Sequence, residues 1–291
     1  MSLEQDHNKI NWNTLVFVTL FHIVAVAAFF TFSWSNLFAF LILWWFAGSF
    51  GVGIGYHRLL THRGFKAPKW LEYTLSVIGT LALQSGPLTW VTTHRVHHAF
   101  TETERDPHSP RFGTYWSHMG WIMRGKAQQQ TWADMQRYCP DFANDRFHQV
   151  LNKYYWIPIV LLAATLFAIG GLSMVVWGVF VKTVVGWHFT WLVNSATHLW
   201  GTRRFETRDD SRNNALIAAL TWGEGWHNNH HAFPRSAKHG FAWYELDINW
   251  ITIRLFEMTG LITDVYAYSE KKQKNRIQAD ATDLIHATES A

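Results

Sequence analysis

Residues 10–56, INWNTLVFVTLFHIVAVAAFFTFSWSNLFAFLILWWFAGSFGVGIGY, contain no Lys, Arg, Asp or Glu. A membrane span takes about 20 apolar residues, so this stretch holds two, folded back on each other. The expected spans lie near 12–32 and 36–56, with Ser33–Ser35 as the turn. Working outward, a second uncharged stretch runs from Tyr154 to Val181, and after Lys182 a third runs from Thr183 to Thr202. Gly170-Gly171 is the expected turn between spans near 154–173 and 177–199. The fold expected is an all-α integral membrane protein with four transmembrane helices.

The composition agrees. Charged residues make up 16% of the 291, well under the roughly 25% of a soluble chain. Aromatics also make up 16%, with 18 Trp and 21 Phe, as suits membrane interfaces or a large apolar cavity. A mean hydropathy of −0.07 requires a substantial water-exposed part as well. Neither short turn carries Lys or Arg, whereas the N-terminus, 57–153 and 200–291 hold nearly all of them. The positive-inside rule therefore puts these segments and both termini in the cytoplasm. No basic segment with a small-residue cleavage site opens the sequence, so no cleaved signal peptide is expected. Lys182 is the lone charge in the spans, expected to snorkel or to be buried against a partner.

The stretch from Tyr73 to Thr93 is also uncharged, but Gly79, Gln84, Ser85, Gly86 and Pro87 make it a poor lipid-facing run. It is expected to be a helix lying at the interface or packed under a cytoplasmic cap. The domain reading is one membrane domain, 1–268, with the cap formed by 57–153 and 200–268. A polar tail, 269–291, is expected to be disordered.

The chemistry is carried by histidine. There are 17 His and one Cys, which excludes a disulfide framework and Cys-based metal sites. The first uncharged stretch runs into His57-Arg-Leu-Leu-Thr-His62; then come His94-Arg-Val-His97-His98 and His227-Asn-Asn-His230-His231. Asn194-Ser-Ala-Thr-His198 ends the last span. On a helix, positions i, i+3 and i+4 share a face, so each His-x-x-His-His presents three imidazoles together. His22 and His188 read as core residues, His7 and His286 as solvated ends, and His108, His118, His148 and His239 as hydrogen-bonded structure.

Nine imidazoles exceed what one ion holds, whereas two ions with four or five each would use them all. Neither a closed four-ligand zinc site nor His-Glu-x-x-His is present, nor the arrangement of soluble di-iron bundles, in which a Glu from each of two helices joins a Glu-x-x-His from each of two others. An all-His dinuclear site at a membrane face favours iron and oxygen.

The three boxes, with their order and spacing, resemble the membrane fatty acyl desaturases of the stearoyl-type Δ9 group, in its bacterial, cyanobacterial and plant branch. The resemblance covers about residues 40–265, including Gly-Tyr-His57-Arg-Leu, Thr103-Glu-Arg-Asp-Pro-His-Ser-Pro110, Trp191-Leu-Val-Asn-Ser-Ala-Thr-His198 and Gly223-Glu-Gly-Trp-His-Asn-Asn-His-His231. It implies four spans under a cytoplasmic helical cap holding two irons on His57, His62, His94, His97, His98, His198, His227, His230 and His231. Asn194 would reach one iron through water, and Gln84, Trp90, Thr190 and Trp191 would line or bend an acyl tunnel. Glu224, Asp106 and Asp210 are candidates to orient imidazoles.

The implied reaction consumes O2 and two external electrons and leaves a cis double bond in a long saturated acyl chain, at Δ9 by the resemblance. No haem or flavin domain fits the polar segments, and no Gly-x-Gly-x-x-Gly occurs. The electrons are then expected from a separate ferredoxin or b-type cytochrome, attracted by the basic face. No nucleic-acid partner is expected, and the location is the bacterial inner membrane. In animal acyl-CoA desaturases an Arg two residues before the second box contacts CoA; Thr92 stands there, which adds weight to an acyl-lipid substrate and leaves both acyl-lipid and acyl-CoA open. Arg58, Arg63, Lys66 and Lys69 remain available to phosphates. A di-iron alkyl hydroxylase of the same histidine class is the nearest alternative, and a metal-transport or metal-binding membrane protein the more distant one.

The tunnel's closed end is expected between the first two spans. Gly48, Gly51, Gly53 and Gly55 either leave volume there or permit close helix packing.

Overall fold

The computed structural model describes residues 9–125 and 130–269. The expected disordered tail falls outside them except for Ser269, as do His7 and His286. The described chain is helical, with three isolated bridges and no β-strand among the described residues.

Asn11 opens α1 (Trp12–Val26) by accepting the Thr14 amide at 3.2 Å, and a 3-10 turn extends it to Phe30. Ser33 caps α2 (Trp34–Trp45) on the Asn36 amide at 3.1 Å. The turn between the helices thus falls before Trp34 instead of at Ser33–Ser35. Helix α2 continues as a π-helix through Phe46–Thr61, so the second apolar element runs unbroken to Thr61. Its 28 residues exceed the about 20 that a span needs, and His57 lies near its C-terminal end.

The third apolar element spans 43 residues, Ile157–Leu199, and comprises α8 (Ile157–Val175), a π-turn Val176–Val181 and α9 (Lys182–Leu199). It is broken at Gly170 (φ −137°) and Gly171 (φ 66°), the second a conformation glycine alone adopts freely. The chain reverses there: a Cβ built on Gly178 would lie 2.5 Å from Leu166 Cδ1. Three elements, Trp12–Phe30, Trp34–Thr61 and Ile157–Leu199, are therefore long and apolar enough to cross a membrane. Their outward residues, such as Phe29, Trp34, Phe38, Leu161, Phe167 and Leu172, are exposed, as lipid contact requires.

The other helices are α3 (Lys69–Thr80), α4 (Pro87–Phe100), α5 (Trp121–Met123), α6 (Trp132–Tyr138), α7 (Arg146–Lys153), α10 (Ala215–Leu220), α11 (His227–Ala232) and α12 (Ile248–Met258). The uncharged run 73–93 is thus two helices and not one, broken at 81–86, where Leu83 (φ 50°) and Ser85 (φ 85°) are left-handed. Ile54, Tyr56 and Leu59 of the π-helix pack with Leu75, Leu88, Val91 and Ile253 in one buried cluster. Each such side chain stabilises the fold by about 1.5–3 kcal/mol relative to exposure.

The glycines permit that packing. A Cβ on Gly51 would lie 2.7 Å from the Gly79 Cα, and one on Gly55 would lie 3.1 Å from Leu75 Cβ, so α3 lies backbone to backbone on the π-helix. Gly48 faces the Trp222 ring and Gly53 the Asn249 amide.

His22 and His188, read as core residues, are half-buried and hydrogen-bonded. His22 Nε2 is 3.0 Å from His188 Nε2, His188 Nδ1 is 3.0 Å from His118 Nε2, and His118 Nδ1 is 3.1 Å from Ser195 Oγ. This chain ties α1, α9 and the 116–120 turn together. Lys182 is buried, and its ammonium donates to the Leu81 carbonyl.

Candidate metal centre

The nine histidines come from four places in the chain: the end of the π-helix, α4, the end of α9, and α11. They fall into two groups. His57, His62, His94, His98 and His230 each bring a ring nitrogen within 4.8 Å of the others, and so do His97, His198, His227 and His231. The expected grouping of three imidazoles per box is not kept: in α4 the i, i+4 pair His94 and His98 shares one group and His97 enters the other, and in α11 His227 and His231 share one group and His230 enters the other.

Four carboxylates fix ring tautomers. His57 Nδ1 lies 2.5 Å from Glu224 Oε2, His97 Nδ1 3.0 Å from Asp106 Oδ1, His198 Nδ1 2.9 Å from Glu102 Oε1 and His231 Nδ1 2.8 Å from Asp209 Oδ2. A carboxylate takes the Nδ1–H, which leaves the Nε2 lone pair aimed at the centre of its group. The carboxylates are themselves braced. Burial pushes Glu224 up, but the Arg58 guanidinium and His57 outweigh it and hold Glu224 well below the usual range. Asp106 and Asp209 are likewise depressed, burial being outweighed by neighbouring imidazoles and hydrogen bonds.

These residues fit a metal. Nε2 atoms face each other at 3.1 Å for His57–His230, His94–His98 and His198–His227, and at 3.0 Å for His98–His230. Two ligands bound about 2.1 Å from one ion at near a right angle stand about 3 Å apart. The Nε2 atoms of His62, His97 and His231 are buried with no protein partner. Burial, then repulsion between neighbouring rings, pushes the imidazoles of His62, His94, His98, His227 and His230 well below 6.5, keeping them unprotonated.

Two apolar cavities meet at this cluster. One, about 410 Å3, lies between α1, the 83–94 stretch and α9; the other, about 80 Å3, lies between the π-helix and α9. Gln84, Trp90, His94, Thr190 and Asn194 line both, and Trp191 lines the larger. Gln84 donates to Thr190 Oγ1 at 2.8 Å and accepts from Trp90 Nε1 at 3.2 Å, closing a polar junction between the two limbs. Neither cavity lies between the first two spans. That expectation fails because Gly51 and Gly55 are filled against α3; Gly48 and Gly53 line the smaller cavity from the π-helix side, facing α9.

Other expectations change as well. Asp210 orients no imidazole: its amide donates to Glu102 at 2.8 Å, and the orienting residues are Glu102 and Asp209. Arg58 is buried on Glu224 (2.8 Å) and Asp247 (2.9 Å) and cannot meet a phosphate. Arg63, Lys66 and Lys69 pair with Asp141, Asp264 and Glu72 respectively. Thr92 is buried against Cys139. Two histidines read as ordinary structure adjoin the centre: His239 lies 3.4 Å from Glu224, and the His108 ring lies 4.3 Å from that of His97.

Residues 32–256 match the model of the fatty acid desaturase family. The sn-1 stearoyl-lipid 9-desaturase of Anabaena variabilis is 47% identical over 91% of this chain and 97% of its own length. The sn-2 palmitoyl-lipid 9-desaturase of Nostoc sp. (strain 36) is 43% identical over 88% of this chain and 90% of its own. An acyl-CoA 5-desaturase of Anemone leveillei is 44% identical over 89% and 82%. These relatives are named as desaturases, which does not favour the hydroxylase and transport readings. With a family match spanning most of its length and relatives this similar, the chain belongs to the fatty acid desaturase family.

Proposed function

We propose that the chain is an O2-dependent di-iron desaturase that places a cis double bond at C9 of a long saturated acyl chain carried on a membrane lipid. The observation that carries the reading is the junction of two apolar cavities beneath two histidine groups. His57, His62, His94, His98 and His230 would hold one iron, and His97, His198, His227 and His231 the other, with Asn194 reaching a metal through water. Two irons there would supply, from O2 and two external electrons, the oxidising power to remove hydrogen from two neighbouring unactivated methylenes.

The chain's own residues do the rest. The two limbs hold the acyl chain bent at Gln84, Trp90 and Thr190, presenting one pair of methylenes to the cluster. Trp191 packs beside the bend and excludes water. Glu224, Asp106, Glu102 and Asp209 hold the imidazoles in place. Lys182 and Thr190 both line the smaller cavity, so this limb runs along α9 from the bend toward Lys182.

A lipid-borne substrate is supported by the larger cavity, whose described lining has polar Asn13, Thr14, Ser85 and Tyr155 but no Lys or Arg for a CoA phosphate. The break at Gly170-Gly171 supports four crossings, with both termini and the helical cap in the cytoplasm of a bacterial inner membrane. The electrons come from a separate ferredoxin or b-type cytochrome. Iron analysis tests the reading: two irons per chain are expected, with His97→Ala and His230→Ala each abolishing turnover. A single-metal active enzyme, or activity surviving both changes, would refute it.

A further inference from the structure

We infer that Lys182 and Trp187 are positioning residues that set where the double bond falls, by pinning the turn on which Gln84 stands. The inference rests on the desaturase reading above. Between Thr80, the end of α3, and Pro87, the start of α4, the chain makes a turn with no regular structure. Leu83 (φ 50°) and Ser85 (φ 85°) are left-handed without being glycine, so the turn persists only because its surroundings over-determine it.

Those surroundings are one face of α9. Backbone carbonyls out of water need donors, and those of half-buried Leu81 and Leu83 and buried Ala82 find them only in side chains of this helix among the hydrogen bonds described. The Lys182 ammonium donates to Leu81. The Trp187 indole N–H is shared between Ala82 and Leu83, 3.1 Å from each. One turn further along α9, Thr190 accepts the Gln84 amide at 2.8 Å. Lys182, Trp187 and Thr190 thus grip residues 81–84 in order, and both anchoring side chains are buried.

The consequence is geometric. Gln84 stands at the junction of the two cavities, where the acyl chain must bend. If the turn relaxes, the bend slides along the chain and a neighbouring pair of methylenes meets the metals. Nothing about ligand binding by the metals need change, because neither residue touches a histidine of the two groups.

The test expresses the full-length chain and reads double-bond positions by mass spectrometry of derivatised fatty acids. Wild type is expected to give one position. Lys182→Met should move the ratio of neighbouring positions to the main one by about tenfold, equal to about 1.4 kcal/mol, the scale of one buried hydrogen bond. Trp187→Phe, which keeps a ring and removes one N–H, should do the same and serves where Lys182→Met does not accumulate. Lys182→Arg should restore the single position. Lower yield or activity with the position unchanged would overturn the inference in favour of a purely structural role. Altered chain-length preference at an unchanged position would overturn it too, showing that Lys182 only closes the smaller cavity. A wild type that makes no double bond would instead overturn the desaturase reading and this inference with it.

Discussion

Replacing Glu224 by Gln keeps the shape of the side chain and removes one charge. In the native protein one oxygen faces His57 Nδ1 at 2.5 Å, and the other accepts from Arg58 at 2.8 and 3.1 Å and from Asn249 at 2.7 Å. Every partner is a donor. An amide has one accepting oxygen, so its NH2 must confront either His57 or the Arg58–Asn249 pair. Loss of a partner that orients a metal ligand costs about 10- to 100-fold in affinity, equivalent to about 1.4–2.8 kcal/mol. Arg58 is not orphaned, because Asp247 and the Ala237 carbonyl (2.7 Å) still hold it. The fold should therefore lose about 1–3 kcal/mol, less than the 3–5 kcal/mol of breaking a buried pair outright. Glu224→Gln should accumulate in membranes, and under a graded chelator it should release the ion of the His57 group before that of the His97 group. The assay is iron content after dialysis against increasing chelator, beside wild type. If the variant keeps both irons as tenaciously as wild type, the orienting role of Glu224 is wrong.

The metal-free protein should lose stability on mild acidification. The imidazoles of His62, His94, His98, His227 and His230 are depressed when folded, first by burial and then by one another, and return to about 6.5 on unfolding. The unfolded state then binds more protons, so stability is full above pH 6.5 and falls below it; a melting temperature flat from pH 7.5 to 5 would contradict this. Gly51→Leu should fail to accumulate, because its Cβ alone would lie 2.7 Å from the Gly79 backbone; an abundant variant with shortened products would restore a tunnel role for this glycine. Reconstituted turnover should fall as salt rises, if an acidic electron carrier meets a basic face screened over about 8 Å at physiological ionic strength; turnover from pyridine nucleotide with no carrier would contradict it.

The histidine boxes were legible because helical spacing is local: His94 and His98, or His227 and His231, share a face whatever the tertiary fold. The apolar elements and the Gly170-Gly171 break were legible for a similar reason, since charge-free length and glycine punctuation act along the chain. Their partners were not. Glu102 meets His198 across 96 positions, and Asp209 rather than Asp210 reaches His231, because a one-residue difference in a loop reverses side-chain direction. The pairing of His22 with His188 spans 166 positions and leaves no local trace. The glycine run was ambiguous by nature: close packing and open volume call for the same residue, and only the position of α3 separates Gly51 and Gly55 from Gly48 and Gly53. The run 73–93 misled because its break depends on left-handed Leu83 and Ser85, held by donors from α9.

The central claim is that the cluster at the cavity junction removes two hydrogens from a lipid-borne acyl chain. Its most direct test is fatty-acid analysis of membrane lipids from cells expressing the full chain with iron and oxygen supplied. The expected result is a saturated 16- or 18-carbon chain lighter by two hydrogens, with one cis double bond at C9, formed in intact lipid and absent from the His97→Ala variant. A product heavier by one oxygen, or unchanged lipids from an iron-loaded protein with a competent electron donor, would contradict it.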